Sequence, residues 1–364
     1  MKILVLGGTG AMGMYLVKLL AERGENVTVT TRKNIKSDNK NISYVQGNAM
    51  DYQFICDILK DKFDVVIDFM VYTTEQMKER VGTFLNNTKQ YVFISSARVY
   101  ADSSERITEN SARLLDSSTD TDYLKTDEYA LKKAREENMF INNKLKNWTI
   151  IRPYITYGKE RLQLGFFEKE HWLYRALHGR TIIFSKDVAE KMTSFTYGFD
   201  VAKIIAGIAG NEKAKGEILH TVTPQNMTWG EILNIYLDVI EEVTGNKPKV
   251  ILTENSSAFE KLLNCKYQLR YDRLFNRCFD SSKAEAICGD VEFTDAYKGI
   301  QQCMLEFIQD EKPTFRTIFW DVQAYMDRLS GERTPLSEIK PFRNKLKYLL
   351  YRYTPYMKIK KGIV

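Results

Sequence analysis

The first 155 residues alternate short apolar runs with amphipathic stretches. The apolar runs predict strands at residues 3–6, 27–30, 65–69, 91–95 and 148–151. The stretches between them have helical spacing, as from Tyr15 to Arg23, where Gly24 follows as a stop signal. Strands that are apolar on both faces and separated by helices are typical of a parallel sheet covered on both sides. We therefore predict an α/β fold with a doubly wound parallel sheet.

The alternation loosens after Arg152-Pro153, and residues 160–330 read as helices joined by loops. The clearest helix is predicted at residues 229–243, where Thr228 and Glu231 have the spacing of a capping box. This part of the chain is expected to form a smaller, mostly helical lobe. The polar segment 101–127 is expected to leave the sheet edge as a candidate mobile lid.

A glycine-rich turn, residues 7–13, lies between the first predicted strand and the first predicted helix. The glycines at 8, 10 and 13 have the spacing of the dinucleotide fingerprint, in the strand-turn-helix context that the motif requires. The free amides and positive end of the helix favour a pyrophosphate. The alternative is a turn without ligand. The residues expected to hold the dinucleotide here are Gly7, Gly10, Ala11, Met12 and Gly13.

The end of the second strand bears on which dinucleotide is bound. An NAD site usually places Asp or Glu there to hold the ribose hydroxyl, but this chain reads Thr30-Thr31-Arg32-Lys33. Arg32 would suit a 2'-phosphate, so NADP is preferred over NAD, although both cations could simply be solvated. Asn48, after the third strand, could bind the adenine or cap the next helix.

Two further segments carry residues suited to proton transfer. The segment Ser95-Ser96-Ala97-Arg98-Val99-Tyr100 follows the fourth main strand, and Tyr129-Ala130-Leu131-Lys132-Lys133 lies on the next predicted helix. Tyr129 and Lys133 are four residues apart, so they share one helix face and the ammonium can lie near the phenol. In isolation this pattern is more typical of a solvated helix face.

In order and spacing, these segments and the glycine turn resemble the extended short-chain dehydrogenase/reductase superfamily, in its nucleotide-sugar epimerase/dehydratase branch. The resemblance spans about residues 1–310 and implies a Rossmann-like domain. It makes Tyr129 the general acid/base, Lys133 a ligand of the nicotinamide ribose and Ser96 the donor to the reacting oxygen, with Ser95 as the competing assignment. Arg98, in place of a small residue, departs from the family pattern.

The resemblance also implies a division of the chain. Residues 1–158 would form the dinucleotide-binding domain with a return segment near 193–210, residues 159–330 the substrate lobe, and residues 331–364 a basic tail. In the lobe, the family's contacts to the nucleotide-sugar diphosphate would fall to Arg161, Arg175 and Arg180. Each of these arginines could equally belong to a solvated helix face.

Amino-acid composition narrows the classes of protein to which this chain could belong. The five cysteines are scattered and the three histidines few, so we expect neither a disulfide framework nor a metal site, and a cytoplasmic location. Residues 340–364 contain eight Lys or Arg and no Asp or Glu. This amphipathic segment is expected to pack on the body or on a sister subunit, with weak contact to an anionic membrane as the alternative. We expect a homodimer and no nucleic-acid partner.

These features together predict an NAD(P)-dependent oxidoreductase or epimerase acting on a nucleotide-linked sugar through a keto intermediate, in polysaccharide or glycan precursor synthesis. One alternative is an NADPH-dependent 4-keto-sugar reductase. The other is a non-catalytic dinucleotide- or RNA-binding protein on the same fold, against which Ser96, Tyr129 and Lys133 argue.

Overall fold

A computed structural model of the chain describes residues 1–289, 291–311 and 313–354. The last ten residues of the predicted tail, 355–364, lie outside the described residues. The strands are β1 (Lys2–Leu6), β2 (Asn26–Thr31), β3 (Ile42–Gln46), β4 (Phe63–Asp68), β5 (Thr88–Ile94), β6 (Trp148–Arg152), β7 (Thr156–Tyr157), β8 (Ile182–Ser185), β9 (Met192–Thr193), β10 (Thr196–Tyr197), β11 (Glu217–His220), β12 (Met227–Thr228) and β13 (Val250–Thr253).

The longer helices are separated by short helical turns. The α-helices are α1 (Gly13–Glu22), α2 (Tyr52–Leu59), α3 (Thr74–Asn86), α4 (Leu114–Ser117), α5 (Thr121–Leu124), α6 (Tyr129–Ile141), α7 (Lys169–Leu177), α8 (Lys186–Ala189), α9 (Gly198–Ile208), α10 (Trp229–Thr244), α11 (Ser257–Leu262), α12 (Lys266–Gln268), α13 (Ser282–Cys288), α14 (Ala296–Ile308), α15 (Trp320–Ser330) and α16 (Phe342–Tyr353). Short 3₁₀ turns lie at Ala97–Val99 and Glu212–Ala214.

A parallel sheet forms the centre of the first of two compact units. Within the described residues it has seven strands in the order β11-β6-β5-β4-β1-β2-β3, which confirms the predicted fold class. The order reverses on either side of β1, the strand that leads into the glycine turn. In open sheets of this kind, ligands bind beyond the carboxyl ends of the strands at this reversal.

Both faces of the sheet are buried. In β1, Ile3 and Val5 pack in one core cluster with α1 and α9, whereas Leu4 and Leu6 pack in another with residues of α2, α3 and α6. Successive side chains of a strand point to opposite faces, so a strand covered on both sides needs apolar residues at every position. This explains the unbroken apolar runs of the sequence.

The first unit comprises residues 1–158, 194–226 and 277–296. The last two segments extend well beyond the return segment expected near 193–210. Residues 217–220, expected in the substrate lobe, instead form the edge strand β11, which pairs with β6. The segment 101–127 is also part of this unit, because Ile107 is fully buried and its amide bonds to the carbonyl of Cys278.

The second unit comprises the described residues of 159–193, 227–276 and 297–354. Its longest helix, α10, has the predicted capping box, since Thr228 Oγ1 accepts from the amide of Glu231 and the Glu231 carboxylate accepts from the amide of Thr228. Gly245 ends this helix in the left-handed conformation, at a φ of 71°. Near the C-terminus, α16 packs on α15.

Candidate active site

The glycine turn has the geometry that a pyrophosphate requires. Gly7 has a φ of 70°, in the region that favours glycine. A Cβ on Gly13 would lie 2.6 Å from the carbonyl oxygen of Gly8, so the helix packs directly on the turn. A Cβ on Gly10 would meet nothing within 4 Å, which leaves the backbone open to a ligand. The positive φ of Gly7, the open space at Gly10 and the close packing of Gly13 therefore suit a tight turn, the approach of a ligand and helix packing, the three tasks of glycine in a dinucleotide-binding turn.

The N-terminus of α1 is suited to an anion. No side chain caps the helix at Met12, and its first turn contains no acidic residue. No side chain therefore accepts from the amides of this turn, and the helix dipole adds partial positive charge. These residues fit the dinucleotide that the sequence predicts for Gly7, Gly10, Ala11, Met12 and Gly13.

The other predicted cofactor residues follow neighbouring strands. Arg32 is exposed directly after β2, and Asn48 is exposed just after β3. The cap of α2 is Asp51, whose carboxylate accepts from the amides of Gln53 and Phe54. Asn48 Oδ1 instead accepts from the amide of Met50, so the interpretation of Asn48 as the helix cap is wrong. Its role toward adenine stays a prediction.

The two serines after β5 have different surroundings. Ser95 is 1% exposed, and its Oγ donates to Glu137 Oε1 at 2.6 Å. Ser96 begins the turn at Ala97–Val99, where its Oγ accepts from the amide of Arg98 at 3.2 Å. The Ser96 hydroxyl only accepts in that bond and can still donate, whereas the Ser95 hydroxyl already donates its hydrogen bond to Glu137. This difference favours Ser96 over Ser95 as a donor to substrate.

Tyr129 is the first residue of α6 and is half-buried. The Arg98 guanidinium lies 5.3 Å from the centre of its ring, and the same guanidinium pairs with Glu128 at 2.8 Å. Glu128 also caps α6 by accepting from the amide of Ala130. Arg98, which departs from the family pattern, thus ties the Ser96 segment to the start of the Tyr129 helix.

Lys133 follows one turn later and is 1% exposed. Its Nζ lies 3.0 Å from Glu136 Oε2 and 4.4 Å from the centre of the Phe93 ring. Neither this ammonium nor the Glu136 carboxylate has a well-directed hydrogen bond within the described residues. A buried ammonium with unused donors fits the ribose hydroxyls that the resemblance assigns to Lys133.

Two buried carboxyls lie near this ammonium. Burial raises the pKa of Glu136 from 4.5 to about 7, against the lowering effect of Lys133. Burial likewise raises the pKa of Asp68, at the end of β4, from 3.8 to about 6, although its carboxylate accepts from the amide of Met70 and from Tyr91 Oη. Neither residue stands out in the sequence. Glu136 lies three residues after Lys133 on the same helix but is buried only by the fold, and Asp68 comes near Lys133 only through the fold.

Glu136→Gln is expected to flatten the dependence of stability on pH. The folded pKa lies above the unfolded one, so the wild-type contribution is complete below about pH 4.5 and is lost as pH rises through about 7. The loss is up to about 3 kcal/mol of the free energy of unfolding. Denaturant titrations from pH 4 to 8 measure it, with the exposed Glu254→Gln as control. If the free energy of unfolding depends on pH equally in the Glu136→Gln variant and in the wild type, the raised pKa of Glu136 would be contradicted.

A buried ion network is centred on Glu137, which accepts a hydrogen bond from Ser95. Glu137, fully buried, accepts from Ser95, from Arg152 through Nε and Nη2 at 2.8 and 2.6 Å, and from Arg113 at 3.1 Å. Arg152 also donates to Tyr100 Oη, which is 2.6 Å from His220 Nε2. In the sequence, Arg152 and Tyr100 stand out only as parts of short segments, because the network joins residues far apart in the chain.

The arginines expected to bind the diphosphate lie in the second unit. Arg175 is fully buried, and its guanidinium donates to the Thr181 carbonyl, to Gln323 and to Asp327 at 2.6 Å. We assign it a structural role within this unit. Arg180 is 6% exposed and pairs with Glu338 at 2.9 Å, whereas Arg161 is half-buried. Arg161 is the most accessible of the three.

Neither a metal site nor a membrane-spanning helix is present among the described residues. They contain no group of three His, Cys, Asp or Glu side chains arranged to hold a metal ion. None of their helices has both the length and the apolar character needed to cross a membrane. All five cysteines are free thiols.

Sequence relatives cover part of the chain. The chain is 27% identical over 235 residues to the chloroplast stem-loop binding protein of 41 kDa b from Arabidopsis thaliana, covering 60% of this chain and 58% of that protein. It is 30% identical over 123 residues to a UDP-glucose 4-epimerase from Lacticaseibacillus casei, covering 28% of this chain and 37% of that protein. The chain therefore matches less than two thirds of the length of either relative.

Solved structures share the fold over most of the chain. Pal from Bacillus thuringiensis has a TM-score of 0.64 at 20% identity, covering 86% of this chain and 100% of that one. UDP-glucuronic acid 4-epimerase from Bacillus cereus, solved with UDP-glucuronic acid and NAD, has a TM-score of 0.62 at 16% identity, covering 84% and 99%. The model of the NAD dependent epimerase/dehydratase family matches residues 3–220, and the chain belongs to this family.

Proposed function

We propose that the protein is an NAD(P)-dependent enzyme that oxidises and reduces a carbon of a nucleotide-linked sugar through a keto intermediate. One observation carries the proposal: the first unit contains both an uncapped helix after the glycine turn and a helix that begins at Tyr129 and buries Lys133 one turn later. The first feature suits a dinucleotide, and the second suits proton transfer to or from a hydroxyl.

Each residue has a defined task in this proposal. Tyr129 takes the proton of the sugar hydroxyl as the carbonyl forms, and returns it when the carbonyl is reduced. Lys133 holds the nicotinamide ribose with its unused donors and keeps a positive charge near the phenol. Ser96 donates to the reacting oxygen. The bound dinucleotide supplies the acceptor and donor of the hydride.

The names of the relatives support a nucleotide sugar as substrate. One sequence relative is a UDP-glucose 4-epimerase, and one fold neighbour was solved with UDP-glucuronic acid and NAD. We propose a UDP-sugar as the substrate class and Arg161 as the remaining candidate for a diphosphate contact. A role in polysaccharide precursor synthesis, a homodimer and a cytoplasmic location stay predictions.

Epimerase and reductase differ in how they hold the cofactor. An epimerase reduces its own keto intermediate and can retain one dinucleotide through many cycles. A reductase must exchange its spent cofactor after each turnover. Mass spectrometry of nucleotides released from the purified protein separates the two: we expect retained NAD for an epimerase and an exchangeable NADPH for a 4-keto-sugar reductase. Release of no dinucleotide, with no NAD(P)H binding afterwards, would contradict both.

Arg32→Asp is expected to weaken NADPH binding about 10- to 100-fold without weakening NADH binding, because a charge-assisted bond to the 2'-phosphate is lost while the new carboxylate can hold the ribose hydroxyl. Nucleotide fluorescence titrations measure both affinities. Lys36→Asp, an equal charge change at an exposed site four residues further on, is the control. A wild-type protein that binds NADH as tightly as NADPH would contradict the preference for NADP.

A second candidate function is RNA binding on the same fold. The relative from Arabidopsis thaliana is named a stem-loop binding protein, and this chain has a net charge of +6. A binding titration with a stem-loop RNA at several salt concentrations tests this alternative. Tight, salt-sensitive binding by a protein that turns over no UDP-sugar would favour it over the enzyme.

A further inference from the structure

One side of α16 packs against the rest of the second unit. Tyr348 is fully buried, its Oη donates to Asp327 Oδ2 at 2.6 Å, and the amide of Thr334 donates to the same Oη at 2.8 Å. Lys347 pairs with Asp321 of α15 at 2.8 Å. The structure thus has α16 packed on the rest of its unit, as the sequence predicts for this segment. These contacts also determine which side of the helix is left uncovered.

The uncovered side has a stripe of large apolar residues. Phe342, Leu346 and Tyr353 are 69%, 56% and 58% exposed. Their spacings of four and seven residues place them within about 40° of one another around the helix, away from Tyr348. We call these three residues the apolar stripe. It lies on one helix, whereas scattered single exposed apolar residues are ordinary on a protein surface.

Positive charge borders the apolar stripe on both sides. Arg343 lies to one side of it and Lys345 to the other, and neither has an acidic partner among the described residues. The chain from residue 340 to its end contains eight Lys or Arg and no acidic residue. The surface around the stripe thus combines apolar side chains with uncompensated positive charge.

We propose that the apolar stripe and its flanking cations dock on an anionic phospholipid surface. A helix with Phe and Leu on one side and Lys or Arg beside them lies in a membrane interface with its apolar side toward the acyl chains. A second copy of this chain that packed through the same face would bring the same positive charge against the stripe. A nucleic acid would pair with the cations but offer no apolar partner to Leu346. The proposal is independent of the reaction at Tyr129.

Vesicle co-sedimentation of the full chain tests the proposal. We expect binding to phosphatidylcholine vesicles that contain phosphatidylserine, at least about tenfold weaker binding to phosphatidylcholine alone, and loss of binding at high salt. The double variant Phe342→Ser/Leu346→Ser should bind at least about tenfold more weakly than wild type. The control is Ile251→Ser/Leu252→Ser, which removes two residues that are 39% and 48% exposed in β13.

Several results would overturn the proposal. Absence of co-sedimentation of the wild type is one, and equal binding by the stripe variant and its control is another. If the wild type is a dimer and the stripe variant a monomer, and vesicle binding is the same for both, the stripe would be assigned to contact with a second copy of the chain. If the wild type binds a stem-loop RNA but no vesicles, the flanking cations would be assigned to nucleic acid.

Discussion

Tyr129→Phe is expected to lower turnover of the nucleotide sugar about 100- to 10,000-fold, the usual contribution of a positioned acid/base group. The ring and its contact with Arg98 remain, and only the hydroxyl that carries the proton is removed. Binding of the dinucleotide should stay at its wild-type affinity, because the glycine turn is unchanged. Steady-state rates and a cofactor titration on the same preparation measure the two quantities.

The control for this prediction is Tyr44→Phe. Tyr44 lies on β3, in the same unit, and is half-buried. Removal of its hydroxyl should leave the turnover rate of the nucleotide sugar unchanged. Full turnover by Tyr129→Phe would remove Tyr129 from the mechanism, whereas equal losses in both variants would point to a general effect on the fold.

Glu137→Ala is expected to destabilise the protein by about 3–5 kcal/mol, the cost of leaving a buried charge without its partner. Arg152 is 1% exposed and would lose both bonds to the Glu137 carboxylate. Ser95 would lose its acceptor at the same time. Denaturant unfolding measures the change. Because Ser95 precedes Ser96, we also expect the remaining folded protein to turn over substrate more slowly.

An exposed ion pair gives the matched comparison. Glu22 lies 3.8 Å from Lys18 on α1, and both side chains are more than half exposed. Glu22→Ala should cost less than about 1 kcal/mol, because water screens such pairs. A cost for Glu137→Ala no larger than that for Glu22→Ala would show that the buried ion network does not hold Arg152 and Ser95 in place.

The parts of the fold that could be predicted are those with a local cause. A buried parallel strand needs apolar residues on both faces, so β1 appears in the sequence as an unbroken apolar run. The glycine turn is likewise local, since Gly7 has a positive φ and Gly13 lies against the backbone of Gly8. The capping box of α10 needs only Thr228 and Glu231.

The parts that could not be predicted depend on contacts between distant segments. β11 is four residues long and gains its place by pairing with β6, almost 70 residues earlier in the chain. Ser95 and Ser96 are adjacent and chemically identical, and only the position of Glu137 separates their roles. Arg175 has the residue type of a phosphate ligand, yet Asp327, about 150 residues later, neutralises it inside the second unit.

The most direct measurement follows reduced nicotinamide and sugar products when the protein is mixed with UDP-sugars and NAD or NADP. We expect the wild type to form either reduced cofactor or an epimerised UDP-sugar, and Tyr129→Phe to form neither while still binding the dinucleotide. A wild-type protein that binds the dinucleotide but gives no redox change and no new sugar with any UDP-sugar would contradict the proposed reaction.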